Sequence, residues 1–234
     1  MEFPIKAYKN LEFLQSQNAR PVRILSEYYE PLMRLEANKV NNTVLFFGSA
    51  RIDPEDKDHP LHSFYWEAEE LAFKLVRWAI KLKAKGKNFV ICTGGGPGIM
   101  EAANRGAFRA EGKSIGMNIS IPEEQKANRY ITPDLSFIFH YFFMRKFWLL
   151  YPAKAIVIFP GGYGTLDEMF ETLTLVQCNK IQRNQLLICL YGEKYWKGII
   201  NFEALLKYKS ISPEDLGVFV YASSPEEALS LIHI

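Results

Sequence analysis

The sequence is short of several things on which common chemistries depend. It has three cysteines and four histidines among 234 residues. Cys92, Cys178 and Cys189 have no metal-ligand spacing. Two of them lie in apolar runs that read as strands, so buried free thiols in a reducing compartment are expected. His59 and His62 stand near each other in a polar loop with no further ligand in view, and no metal site is expected. No apolar run reaches membrane-spanning length, and the opening MEFPIKAYKN lacks the basic-then-apolar profile of a signal peptide. The chain is therefore expected in the cytoplasm, with no membrane partner. A net charge of +2 is too small to imply nucleic acid as a partner. There is no internal repeat and no low-complexity segment. Two familiar nucleotide-binding motifs also fail. A dinucleotide fingerprint starting at Gly94 and Gly96 needs a third glycine where Ile99 stands. Gly112-Lys113-Ser114 resembles a P-loop tail, but Ala107 occupies the place of its first glycine.

What is present is an apolar, aromatic-rich chain, 48% hydrophobic, long enough for one substantial domain. Residues 1–20 read as a polar arm, and 22–38 as a helix that Pro31 should kink or restart. Residues 1–40 are thus an arm and an extra N-terminal helix, and 41–234 a single domain. In that domain, strands are expected at 43–47, 88–93, 114–121, 135–142, 155–159, 186–190 and 218–221. Helices are expected at 61–84, where Trp66, Leu71, Leu75 and Trp78 belong to the apolar face, and at 99–110. Others start near Met144 and Thr165, span 196–208 and begin at Pro225. Lys81, Lys83, Lys85 and Lys87 suit the C-terminal end of the first of these helices as a solvated basic face. His140, inside an aromatic run, is expected as a buried structural histidine. Strands alternating with helices imply an α/β fold with a doubly wound, mostly parallel, Rossmann-like sheet.

Residues 155–171, AIVIFPGGYGTLDEMFE, organise the functional reading. A β-branched strand runs into Pro160, Gly161, Gly162 and Gly164, and from Thr165 the apolar spacing becomes helical. Strand, glycine loop and helix together make an anion site, because glycine lets backbone N–H groups approach a ligand and the helix start supplies unpaired donors. The dipole contributes about 0.3–1 kcal/mol, against about 1.5–3 kcal/mol for each hydrogen bond to a charged group. Individual N–H groups and the Thr165 hydroxyl should therefore supply most of the phosphate affinity. Asp167 and Glu168 follow in the first turn. Acids there are favourable to the helix in themselves, and they also suit a ribose or chemistry at its anomeric carbon; the loop leaves both open. Arg145 and Lys146 oppose the dipole of their own helix and need an anionic partner, from a ligand or from Glu168, unless they simply reach solvent. In a doubly wound sheet the loops after the strand ends share one edge. This would gather Gly48 and Ser49, the turn of Gly94, Gly95, Gly96 and Gly98, Met144-Arg145-Lys146 and residues 161–165 around one crevice for a phosphate-bearing small molecule.

Pro160-Gly161-Gly162-Tyr163-Gly164-Thr165-Leu166-Asp167-Glu168 resembles the PGGxGTxxE motif of the Lonely Guy family, and Arg145-Lys146 resembles that family's upstream Arg-Lys pair. The likeness runs from residue 43 to residue 190, and the FGSAR start and extra N-terminal helix resemble the longer bacterial branch. Many members have two glutamates where this chain has Asp167 then Glu168. The resemblance implies a phosphoribohydrolase that cleaves a nucleoside 5′-monophosphate, AMP or a cytokinin precursor, to free base and ribose 5-phosphate. It implies Glu168 and Arg145 as catalytic residues. Substrate contacts are implied for Gly48, Ser49, Gly95, Gly96, Gly98, Lys146, Gly161, Gly162, Tyr163, Gly164, Thr165 and Asp167, with Glu124 and Gln125 weaker candidates. It implies no cofactor, and a homodimer or higher homo-oligomer to which residues 171–175 contribute. Two rivals stand beside it. One is lysine decarboxylation, the label long attached to the family, but no Ser-x-His-Lys-type pyridoxal phosphate site is evident. The other is a non-catalytic nucleotide-binding or carrier protein, which the fold class accommodates equally well.

Overall fold

Thr43–Phe47 (β1) is buried at every position, as a strand covered on both faces must be. In the computed structural model, which describes residues 4–83, 89–121 and 127–232, it is the middle strand of a seven-stranded sheet. The remaining strands are Val90–Thr93 (β2), Ser114–Ile119 (β3), Ser136–Phe139 (β4), Ala153–Ile158 (β5), Leu187–Tyr191 (β6) and Val220–Ala222 (β7). Their order is β4-β3-β2-β1-β5-β6-β7, and every pairing is parallel. The helices are Leu11–Gln15 (α1), Arg20–Ala37 (α2), His62–Lys83 (α3), Ile99–Arg109 (α4) and Phe142–Leu150 (α5). They continue with Tyr163–Gln177 (α6), Glu193–Ile199 (α7), Phe202–Lys207 (α8) and Pro225–Ile232 (α9).

Side chains of β1 alternate between two cores. Val44 and Phe46 face the layer of α3, α4 and α9, while Leu45 and Phe47 face that of α2, α5 and α6. From β1 the chain steps outward through β2, β3 and β4. It then crosses back to place β5 on the other flank of β1 and steps outward again. The reversal puts the switch point between β1 and β5, where the loops after both strands diverge and leave a crevice. The expected Rossmann-like α/β architecture is the one observed.

Several local expectations need correction. Helix α2 is continuous through Pro31, which is buried. The ring removes the hydrogen bond that Glu27 O would accept, and the Trp148 indole N–H donates to that carbonyl instead, at 3.0 Å. The Glu27 carboxylate accepts the backbone N–H groups of His140 (2.7 Å) and Tyr141 (3.2 Å). These bonds turn the chain out of the sheet, so β4 ends at Phe139 and His140 is an exposed turn residue, not a buried histidine. The arm contains α1, whose first turn is capped by the Asn10 side chain. The helix expected over 196–208 is two helices, because Asn201 leaves helical geometry and caps α8 through Ala204 N (2.9 Å). Trp66 is exposed on α3 and lies under the Arg105 guanidinium at 5.0 Å. Cys92 and Cys189 are buried, which pushes each thiol up to about 12, but Cys178 is exposed. Lys85, Lys87 and Asn88 lie outside the described residues. Among the described residues no helix is long and apolar enough to cross a membrane, and no group of His, Cys, Asp and Glu is arranged to hold a metal ion.

Candidate active site

The turns that follow β1, β2 and β5 are laced together by their backbones. Ser49 N–H donates to Pro160 O (2.9 Å), and Ile99 N–H donates to Ser49 O (3.0 Å). Gly98 sits at φ +67 with its α-carbon against the Ser49 and Ala50 backbone, where no side chain fits. Above this junction opens a cleft of about 620 Å³, lined by residues 48–51 on one side and 161–166 on the other.

Helix α6 begins in that cleft without a side-chain cap, its N-cap being Gly162. The N–H groups of Tyr163, Gly164 and Thr165 have no helical acceptor, and no other backbone acceptor among the described residues. Thr165 is 6% exposed and lines the cleft, yet its hydroxyl has no partner among the described residues. A β-carbon on Gly161 would collide with that hydroxyl and come within 2.9 Å of Ser49 N. Gly162 and Gly164 differ, since a β-carbon on either meets nothing within 4 Å and neither has a positive φ. Protein packing does not require glycine there, and what their bareness leaves is open backbone at the cleft wall. Tyr195 braces the loop from α7 by donating its hydroxyl to Gly161 O (2.9 Å).

One turn into α6, Glu168 meets Arg145 of α5. Arg145 Nη1 donates to Glu168 Oε1 at 2.8 Å, and its Nε donates to Met117 O at 2.7 Å. The two side chains are 11% and 14% exposed, so this is a shielded pair at the cleft floor. Gly94 makes room for the guanidinium, because a side chain there would overlap it. Burial raises the Glu168 carboxyl above its ordinary value, and outweighs the opposing charges of Arg145 and Lys146. The cations that oppose the α5 dipole are thus held by acids of α6.

The structure gathers Gly48, Ser49, Arg145, Gly161, Gly162, Tyr163, Gly164, Thr165 and Glu168 around the cleft. It sets the other named residues elsewhere. Lys146 forms ion pairs with Asp167 (2.7 Å) and Glu171 (2.8 Å), and neither Lys146 nor Asp167 lines the cleft. Gly95 and Gly96 stand behind the wall, their carbonyls accepting from Asn128 Nδ2 at 3.1 Å each, and Gly98 serves the backbone junction. Asn128 also donates to Asn104, which accepts from the Thr93 hydroxyl, so a buried amide network fixes the glycine turn. Glu124 and Gln125 lie outside the described residues. The sequence reading passed over Arg51, Met100 and Tyr195. Arg51 and Met100 directly follow glycine turns and were open to notice; Tyr195 reaches the loop from a distant helix and carries no local signal.

The family model described as "Possible lysine decarboxylase" matches residues 100–232, more than half of the chain, including Arg145, Lys146 and the whole of 160–168. The chain belongs to this family. It is the family of the Lonely Guy proteins, as the motif indicates. No curated protein matches the chain. Among solved structures, it is similar to TM1055, a structural-genomics target, at 20% identity and a TM-score of 0.56, covering 82% of this chain and 98% of that one. It is similar to the molybdenum cofactor binding protein from the phototrophic bacterium Rippkaea orientalis at 21% identity and a TM-score of 0.52, covering 82% and 93%. It is also similar to the Moco carrier protein from Chlamydomonas reinhardtii at 18% identity and a TM-score of 0.53, covering 82% and 96%. At such identities these likenesses show the fold of this Lonely Guy chain and no more.

Proposed function

We propose that this Lonely Guy chain hydrolyses the N-glycosidic bond of a nucleoside 5′-monophosphate, AMP or a cytokinin riboside monophosphate, to free base and ribose 5-phosphate. The observation that carries the reading is the shielded Arg145–Glu168 pair, 2.8 Å apart, in the same cleft as the uncapped start of α6. Cleavage builds positive charge on the sugar as the base leaves with the bonding electrons. A carboxylate beside the anomeric carbon stabilises that transition state more than the ground state. Glu168 takes this role. Its bond from Arg145 engages Oε1 and leaves Oε2 for the sugar or for the attacking water, whose proton it accepts as the oxygen bonds to the anomeric carbon. Arg145, anchored on Met117 O, positions the carboxylate. Gly48, Ser49 and residues 161–165 hold the 5′-phosphate, so that remote binding energy orients the reacting carbon. Lys146 and Asp167 act through the α5–α6 packing. Residues 41–234 form the catalytic unit, in the cytoplasm, with 1–40 packed on it as an arm and helix.

A dimer belongs to the same reading. Phe142 and Phe143 on α5, Tyr151 just past its end and Phe170 on α6 are all at least 40% exposed, beside Lys146 and Glu171, and we assign this apolar face to the contact between two copies. A Schiff-base decarboxylase is disfavoured by the residues themselves. Among the described residues the cations lining the cleft are Arg51 and Arg145, and Lys146 is committed to Asp167 and Glu171.

The second reading is a carrier that binds its ligand and returns it unchanged, and the fold shared with cofactor-binding and carrier proteins supports it. Incubation with AMP separates the two. Adenine and ribose 5-phosphate on chromatography support the hydrolase, whereas AMP that binds and is recovered intact supports the carrier.

A further inference from the structure

One charged side chain of the cleft has no role in this account. Arg51 lines the cleft from the β1 side, and its guanidinium makes no ion pair or hydrogen bond among the described residues. Its backbone is well fixed. Arg51 N–H donates to the Ser49 hydroxyl oxygen (3.1 Å), and the next residue, Ile52, is 2% exposed in the core beneath α3. A held backbone with an unpaired head group is unlike the other ionised groups of the cleft. Arg145 and Glu168 neutralise each other at 2.8 Å, which leaves Arg51 as the uncompensated charge of the described lining.

The opposite wall has a matching deficit. Thr165, 6% exposed, lines the cleft with a hydroxyl that has no partner among the described residues, and the first N–H groups of α6 are uncapped. An unpaired hydroxyl and unpaired N–H groups on a cleft wall gain hydrogen bonds when a ligand supplies the acceptors. Donors on one wall and an unpaired cation on the other fit a single anion with several acceptor oxygens. The guanidinium fork also matches a phosphoryl group with two parallel bonds.

We propose that Arg51 is the cationic half of the anion subsite. It binds the phosphoryl group from the β1 side, against Thr165 and the start of α6, and thereby sets the preference for phosphorylated over unphosphorylated ligands. The identity of the phosphate's bearer rests on the phosphoribohydrolase reading; the subsite itself does not.

The test is equilibrium binding to the full chain of AMP, ribose 5-phosphate and adenosine, comparing the wild type with Arg51→Gln and Arg51→Lys. Circular dichroism checks the fold of each. Arg51→Gln is expected to weaken AMP and ribose 5-phosphate by about tenfold to a hundredfold, with adenosine unchanged and Arg51→Lys recovering part of the loss. Unchanged AMP binding in Arg51→Gln overturns the proposal, and so does an equal loss for AMP and adenosine, which marks a structural role. If the wild type binds neither AMP nor ribose 5-phosphate, the nucleotide reading fails on its own. Inorganic phosphate then decides: a melting-temperature rise in the wild type that Arg51→Gln lacks keeps the subsite, and any other result ends it.

Discussion

Arg145 and Glu168 illustrate how a residue pair becomes chemistry only through its surroundings. On the surface their 2.8 Å contact would contribute little, but here it is shielded and backed by Met117 O. Arg145→Ala leaves Glu168 desolvated and unpaired. It should fold and lose about 10²–10⁴ of kcat/KM, and near wild-type kinetics would remove Arg145 from the mechanism. The pH profile offers a second check. Because burial raises the Glu168 carboxyl above its ordinary 4.5, the ionised form is lost as pH falls through that raised value. The acid limb of kcat/KM is therefore expected above pH 4.5, not at or below it, and it should move when Glu168 is replaced by Asp. Both residues stood out in the sequence, Arg145 as a cation needing an anionic partner and Glu168 as an acid after a glycine loop, but only the family resemblance gave them roles. Helix α6 starts at Tyr163, two residues earlier than expected, so Glu168 lies beyond its first turn. The need for a partner was readable; the partner's distance was not.

At the scale of elements, the start of α6 separates glycines that protein packing requires from glycines that it does not. Gly161 and Gly98 are hemmed in by protein, but Gly164 faces open space in helical geometry. Gly164→Ala should be neutral to stabilising, by up to about 1 kcal/mol from helix propensity, while raising KM for AMP. A marked fall in melting temperature, or an unchanged KM, would contradict that assignment. Strand and helix positions were largely legible because apolar period and glycine turns are local signals. The misses have a common cause. Pro31 does not break α2, since the Glu27 carbonyl it leaves free accepts from Trp148 at a sequence separation of 121, and His140 is exposed because the Glu27 carboxylate, 113 residues earlier, takes its N–H. Tyr195 braces Gly161 across 34 residues. Tertiary partners overrode local propensity in each case, and the residues involved carry no periodic trace of it.

For the whole molecule, the alternation of strands and helices gave the doubly wound class, but not which strands meet. The order β4-β3-β2-β1-β5-β6-β7 is what puts the β1 and β5 loops side by side, and with them Ser49 beside Gly161. The same topology leaves α5 and α6 with one side on the Arg145–Glu168 pair and the other on an exposed aromatic face. Phe143→Glu is expected to convert a dimer to a monomer in sedimentation velocity; a wild type that is already monomeric would contradict the assigned contact. The most direct test of the central claim splits binding from chemistry at one residue. Glu168→Gln keeps the shape of the side chain and removes its charge. It should bind AMP within a few-fold of the wild type while releasing no adenine above background, whereas the wild type releases adenine and ribose 5-phosphate in equal amounts. Adenine release by Glu168→Gln at the wild-type rate would show that the carboxylate is not what drives the reaction.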